Sequence, residues 1–140
     1  MATFNNIILV DDDVVSNYIC DRIMSRNNYV ATLNAFSNPV EALGFLKEIV
    51  DKRLWNLLPQ VLMLDLQMPQ MDGWAFLDKL SALDPLMHEK MYIVILSSSI
   101  FSEDMDRANE HPMVRQYFSK PIRPDILESI HLNLENTRMV

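Results

Sequence analysis

Four short apolar runs in this chain each lead into residues that can do chemistry. Asp11 and Asp12 follow Ile7-Ile8-Leu9-Val10, and Asp65 follows Val61-Leu62-Met63-Leu64. Ser97 follows Ile93-Val94-Ile95-Leu96, and Lys120, with Pro121 behind it, comes after the run from Val114 to Phe118. Three carboxylates, a hydroxyl and an ammonium at the same end of successive strands would form one site. Close carboxylates repel one another, so their pKa values should rise unless a cation joins them. A set of hard oxygen donors with few protein ligands suits Mg²⁺, which keeps several waters and often shares a phosphate. A carboxylate beside that ion can act as a nucleophile and form an aspartyl phosphate. The developing phosphoryl charge then needs a metal, a cation and hydrogen-bond donors. Lys120 would supply the cation, Ser97 a donor, and Asp11 and Asp12 the metal ligands. His88, His111 and His131 lie too far from these positions in sequence to suggest a zinc site.

Such a site needs a scaffold, and the remaining sequence describes one. Asn5 to Val10 reads as a buried strand, and from Asp13 to about Asn27 the pattern turns helical, with Val15, Ile19 and Ile23 at i+4 spacing. Asp13 suits the N-cap of that helix. Tyr29 to Phe36 is rich in β-formers. Asn38 followed by Pro39 is an N-cap with proline at N1, and Val40, Leu43, Leu46 and Val50 supply the apolar face of the second helix. The continuous apolar run Val61 to Leu64 has the character of a strand covered on both sides. Trp74 to Leu83 reads as a helix stopped before Pro85, Tyr92 to Leu96 as the fourth strand, Phe101 to Glu110 as a short polar helix, and Val114 to Phe118 as the fifth strand. Pro124 opens a last helix with Ile126, Ile130 and Leu134 on one face. Strands alternating with helices predict an α/β fold, doubly wound around a parallel sheet. In such sheets ligands bind beyond the carboxyl ends of strands, where strand order reverses. In the order 2-1-3-4-5 that reversal lies between the strands that carry Asp11, Asp12 and Asp65.

Bulk properties narrow the function classes. The chain has 140 residues, 49% of them hydrophobic and 22% charged, which predicts a single globular domain over residues 1–140. The net charge of -7 and a pI near 4.8 argue against sequence-independent nucleic-acid binding, which needs a basic face. Only two glycines are present, and neither GxGxxG nor a P-loop occurs. The lone Cys20 excludes an intrachain disulfide. No apolar run approaches the roughly 20 residues needed to span a bilayer, and no signal peptide is visible, so the expected location is cytoplasmic.

Taken in order, Ile8-Leu9-Val10-Asp11-Asp12-Asp13, the stretch Leu64 to Gly73, Ile95-Leu96-Ser97-Ser98 and Lys120-Pro121 resemble the receiver domain of two-component response regulators. Any one piece is weak, but the ordered combination is specific and covers essentially the whole chain. The resemblance implies the flavodoxin-like (βα)5 sandwich with strand order 2-1-3-4-5. It implies Asp65 as phosphoacceptor. Mg²⁺ would be held by Asp12, Asp65 and the backbone carbonyl of Gln67, with Asp11 acting largely through water. It makes Ser97 the switch hydroxyl, Tyr117 the switch aromatic and Lys120 the phosphate-pairing lysine, with a cis peptide before Pro121. Gln67 and Ser99 fall at positions that tune phosphoryl lifetime. The resemblance further implies a donor, either a sensor histidine kinase or a histidine phosphotransfer protein, docking on the first helix and the loop after the fifth strand. Switching would reshape the face of helix 4, strand 5 and helix 5 for an output protein, which the sequence does not name. No nucleic-acid partner and no membrane insertion are expected, and homodimerisation on phosphorylation is left open.

Two other readings compete. A haloacid-dehalogenase-like phosphatase also uses an aspartate nucleophile and Mg²⁺, but it resembles DxD after its first strand. Here Asp65 follows the third strand and Gln67 stands two residues on. A degenerate receiver would bind partners without phosphorylation, but the set Asp11, Asp12, Asp65, Ser97 and Lys120 is intact. The expectation is therefore a stand-alone signalling protein, not an enzyme, with slow intrinsic loss of the phosphoryl group. The stretch Asp51 to Gln60, with Leu54, Trp55, Leu57 and Leu58, is longer than the family's usual connection. It could extend the second helix or form a partner surface.

Overall fold

A computed structural model describes residues 2–99 and 101–138. Its strands are β1 (Phe4–Val10), β2 (Val30–Phe36), β3 (Val61–Leu64), β4 (Tyr92–Ser97) and β5 (Gln116–Ser119). Its main helices are α1 (Val14–Arg26), α2 (Pro39–Asp51), α3 (Gly73–Leu83), α4 (Ser102–Glu110) and α5 (Pro124–Arg138). The strands form one sheet in the order β2-β1-β3-β4-β5, and every pairing is parallel. This is the expected doubly wound, flavodoxin-like arrangement.

Alternation along the strands divides the core in two, because successive side chains point to opposite faces of a sheet. Ile8, Val10, Leu62, Leu64, Ile93 and Ile95 pack under α2 and α3, and Ala108 of α4 joins them. Ile7, Leu9, Val61, Met63, Val94 and Leu96 pack under α1 and α5. Three helix starts are set by local side-chain caps. Asp13 Oδ1 accepts the Val15 and Ser16 amides at 3.0 and 3.2 Å, Asn38 Oδ1 accepts the Val40 amide with Pro39 at N1, and Asp72 Oδ1 accepts the Ala75 amide.

The structure corrects several boundaries and faces. The inward face of α1 is Asn17, Cys20 and Met24, while Val15 and Ile19 are 66% and 45% exposed. A rotation of the expected stripe is available because both sets satisfy helical spacing; the packing partners on β1 and α5 choose between them. In α2, Ala42, Leu46 and Ile49 are buried and Val40 faces solvent. β5 begins at Gln116 instead of Val114. The segment 51–60 does not extend α2. The chain leaves the helix at Arg53, whose φ of 54° lies in the left-handed region, and passes through a 3₁₀ turn at Trp55–Leu57. Leu54, Trp55 and Leu57 stay exposed there, and Lys90 Nζ sits 4.5 Å above the Trp55 ring. A further single helical turn, Met87–Lys90, precedes β4.

Candidate functional site at the carboxyl end of the sheet

Register brings the site together. Val10 of β1 pairs with Leu64 of β3, so the next residues, Asp11 and Asp65, leave adjacent strands side by side. On the other side, Ser97 of β4 pairs with Ser119 of β5, and the Lys120 amide donates to the Ser97 carbonyl at 2.9 Å. Residues more than fifty positions apart therefore meet at one edge.

Asp11, Asp12 and Asp65 each offer a carboxylate oxygen, and these oxygens lie within 4.8 Å of one another. No other such cluster of acidic, histidine or cysteine side chains occurs among the described residues. Asp11 and Asp65 are buried, at 1% and 5% exposure, and Asp12 is half-buried. The Lys120 ammonium bonds Asp11 Oδ2 and stands 3.5 Å from Asp65 Oδ2. Asp65 Oδ1 accepts the Leu66 amide at 2.8 Å. Burial pushes the Asp65 carboxyl up from 3.8 to about 6; Lys120 pulls it down, and the Asp11 charge raises it again. Burial disfavours the Lys120 ammonium, yet its bonds and charge contacts with Asp11 and Asp65 outweigh that and leave its pKa raised. The lysine is therefore a firm cation at neutral pH, in a site with more negative charge than one ammonium balances.

That surplus fits a divalent cation. The donors are hard carboxylate oxygens, gathered at spacing one ion could bridge, and Asp12 is engaged in no hydrogen bond or ion pair among the described residues. Asp12 and Asp65, with Asp11 behind them, could hold Mg²⁺. None of the three histidines joins the cluster.

The other expected residues fall around it. Ser97 is fully buried, and its Oγ accepts the Ser99 amide at 3.1 Å. Tyr117 is half-buried and donates its hydroxyl to the Ser99 carbonyl at 3.3 Å. Gln67 lies in the exposed loop two residues past Asp65, lining a depression of about 480 Å³ together with Leu66, Asp72, Trp74 and Asp104. The Lys120–Pro121 peptide is cis, as expected.

Three supporting residues were not legible beforehand. Gly73 opens α3 so close to the end of β3 that a Cβ would stand 2.6 Å from the Asp65 carbonyl oxygen and 2.9 Å from Leu66 Cα. Asn17, buried on α1, donates Nδ2 to the Asp11 carbonyl at 2.8 Å and so ties the loop after β1 to the helix. Asp104 receives the Ser99 hydroxyl at 2.5 Å. An asparagine on the inward face of a helix could have been a signal, had the inward face been known. Asp72-Gly73 has the composition of a turn, which does not reveal how close the helix start comes to the Asp65 carbonyl.

Residues 7–131 match the family description "Response regulator receiver domain". The chain belongs to the response regulator receiver domain family. It is similar to a protein-glutamate methylesterase/protein-glutamine glutaminase of group 3 operon from Rhodopseudomonas palustris, with 31% identity over 71% of this chain and 24% of that protein. A protein-glutamate methylesterase/protein-glutamine glutaminase 2 from Hahella chejuensis is 32% identical over 69% of this chain and 23% of its own length. The chain thus spans about a quarter of the curated relatives it matches. Among solved structures, a two component response regulator from Cytophaga hutchinsonii superposes with a TM-score of 0.86 at 24% identity, covering 95% of this chain and 98% of that one. A response regulator receiver protein from Dyadobacter fermentans gives 0.79 at 21% identity, covering 93% and 97%.

Proposed function

We propose that Asp65 accepts a phosphoryl group from a phosphohistidine donor, either a sensor histidine kinase or a histidine phosphotransfer protein, in a Mg²⁺-dependent reaction. The observation that carries this reading is a buried Asp65 beside Asp11, facing the Lys120 ammonium at 3.5 Å, within a receiver fold. A carboxylate oxygen of Asp65 would attack phosphorus, the bond to the donor nitrogen would break, and Lys120 would pair with the transferred group. Its ammonium is already aimed at both buried aspartates. Asp12, Asp65 and the Gln67 carbonyl would hold Mg²⁺, with Asp11 acting through water; the ion would offset charge that develops on the phosphoryl oxygens. Ser97 and Tyr117 are the proposed switch pair, and Gln67 and Ser99 the residues that tune how long the aspartyl phosphate lasts.

Exposed apolar side chains support two partner faces. α1 presents Val14, Val15, Tyr18 and Ile19, all at least 45% exposed, beside the carboxylate loop. This is where the donor would dock, along with the loop after β5. Phe101 and Met105 on the α4 side and Leu132 on α5 would belong to the output face. The chain itself is proposed as a signalling switch, not an enzyme. The methylesterase and glutaminase names belong to relatives of which it matches about a quarter, and an output of that type is a proposal only. No helix among the described residues is long and apolar enough to cross a membrane, and a cytoplasmic location is proposed on the family's role. The phosphatase reading is disfavoured because Asp65 follows β3 and no acid stands two residues on.

Intact-protein mass spectrometry after incubation with acetyl phosphate tests the proposal. One added phosphoryl group is expected in the presence of Mg²⁺, lost on chelation and absent in Asp65→Asn. Stoichiometric phosphorylation of Asp65→Asn would sink the assignment.

A further inference from the structure

Ser99 is a node, and the acid that holds it has no assigned role. Ser99 is 7% exposed, and each of its polar groups is engaged. Its amide donates to Ser97 Oγ at 3.1 Å, and its carbonyl accepts the Tyr117 hydroxyl at 3.3 Å. Its own hydroxyl donates to Asp104 Oδ2 at 2.5 Å and accepts the Phe101 amide at 3.3 Å. One buried serine thus joins the proposed switch hydroxyl, the proposed switch aromatic and the first turn of α4.

We infer that Asp104 is a positioning residue: through Ser99 it latches the loop after β4 in its resting arrangement and so sets how readily Ser97 and Tyr117 respond to a phosphoryl group on Asp65. The inference rests on the phosphoacceptor reading above. For the Ser97 hydroxyl to turn toward Asp65, it must give up the Ser99 amide. Ser99 can follow only if its other bonds yield, and the bond to Asp104 is the strong one, because a hydrogen bond to an ionised acceptor is about twice as strong as a neutral one. Releasing Ser99 also frees the Tyr117 hydroxyl, so a single carboxylate on α4 opposes both movements.

The alternative is a plain helix cap. Phe101, at the N-cap of α4, has no side-chain acceptor, and Ser99 Oγ takes its amide instead. Capping accounts for the oxygen of Ser99 as an acceptor. It does not account for the commitment of its proton to Asp104, nor for the Tyr117 hydroxyl on its carbonyl.

Three variants separate the two roles: Asp104→Ala, Ser99→Ala, and Asp104→Asn, whose amide oxygen still accepts the Ser99 hydroxyl. Two quantities are read: the rate of phosphoryl uptake from acetyl phosphate with Mg²⁺, and hydrogen exchange at the residue 99 amide in the unphosphorylated protein. With the latch removed, Asp104→Ala and Ser99→Ala should take up the phosphoryl group about fivefold faster, and the residue 99 amide should exchange about fivefold faster. Asp104→Asn should return both toward wild type. A cap alone would loosen amides in the first turn of α4 and leave uptake unchanged, which would overturn the inference. Absence of uptake in wild type would sink the phosphoacceptor reading, and with it the response to a phosphoryl group, but not the latching of the loop by Asp104. The residue 99 amide would then decide it: faster exchange in Asp104→Ala supports it, and unchanged exchange overturns it.

Discussion

At the scale of single residues, Asp65 pits fold stability against readiness for chemistry. Its carboxyl titrates near 6 in the fold, against an ordinary value of 3.8, with burial the largest cause. A carboxyl with a raised folded pKa binds its proton more tightly in the folded state than in the unfolded one. The metal-free fold therefore loses stability as pH rises from about 4 to about 6, and it stays at the lower level above that window. Asp65→Asn removes the ionisation. We expect it to stabilise the metal-free protein by about 2 kcal/mol at pH 7.5 and to change little at pH 4, measured by urea unfolding in a chelator. A destabilised Asp65→Asn at pH 7.5 would contradict this account of the site's charge.

Elements set how tightly that residue is held and who reaches it. The first residue of α3 is glycine, Gly73, where the Asp65–Leu66 backbone leaves no room for a Cβ. The contact is with main-chain atoms, which cannot rotate away. Gly73→Ala should therefore cost about 2 kcal/mol in thermal or denaturant unfolding and slow phosphoryl uptake, because the clash displaces the backbone that carries Asp65, the proposed phosphoacceptor. A variant that unfolds like wild type would show the helix start to be more yielding than its geometry indicates. α1 tests a different property. Its Ile19 is 45% exposed and belongs to neither core cluster, so Ile19→Asp should unfold nearly like wild type and accept phosphoryl from acetyl phosphate at an unchanged rate. Transfer from a phosphohistidine donor should fall about tenfold, the effect of losing one well-placed apolar contact at an interface. Equal loss with both donors would point to damage within the site instead of a docking face.

For the molecule as a whole, the same carboxylate cluster that strains the metal-free fold should make it respond to ions. An ion that binds only the folded state stabilises by mass action, about 3 kcal/mol at a hundred times its dissociation constant. Mg²⁺ should therefore raise the melting temperature of the wild type, excess chelator should reverse the rise, and Asp12→Asn should respond only at much higher Mg²⁺. A melting temperature indifferent to Mg²⁺ at millimolar concentrations would remove the metal from the proposed reaction. Calorimetric titration of the same variants gives an independent reading of affinity.

Much of this was legible in the sequence because the signals were local. Continuous apolar runs mark strands buried on both faces, Asn38-Pro39 marks a helix start, and an acid or lysine placed just past a run marks the edge of a sheet. The strand order and the expected roles came from the resemblance of the motifs in sequence order. What stayed out of reach was set by how side chains and backbone pack in three dimensions. The stripe on α1 had two solutions at helical spacing, and only packing on the sheet chose Asn17, Cys20 and Met24. Gly73 and Asp104 carry no mark of their roles, since one answers to the backbone at β3's exit and the other to the orientation of a serine five residues before it, buried in the loop after β4. The chemical types available to the site were determined by the sequence alone. Which side chains stand within bonding distance, and how far burial shifts the Asp65 carboxyl, depended on the parallel register that sets Val10 beside Leu64 and Ser97 beside Ser119.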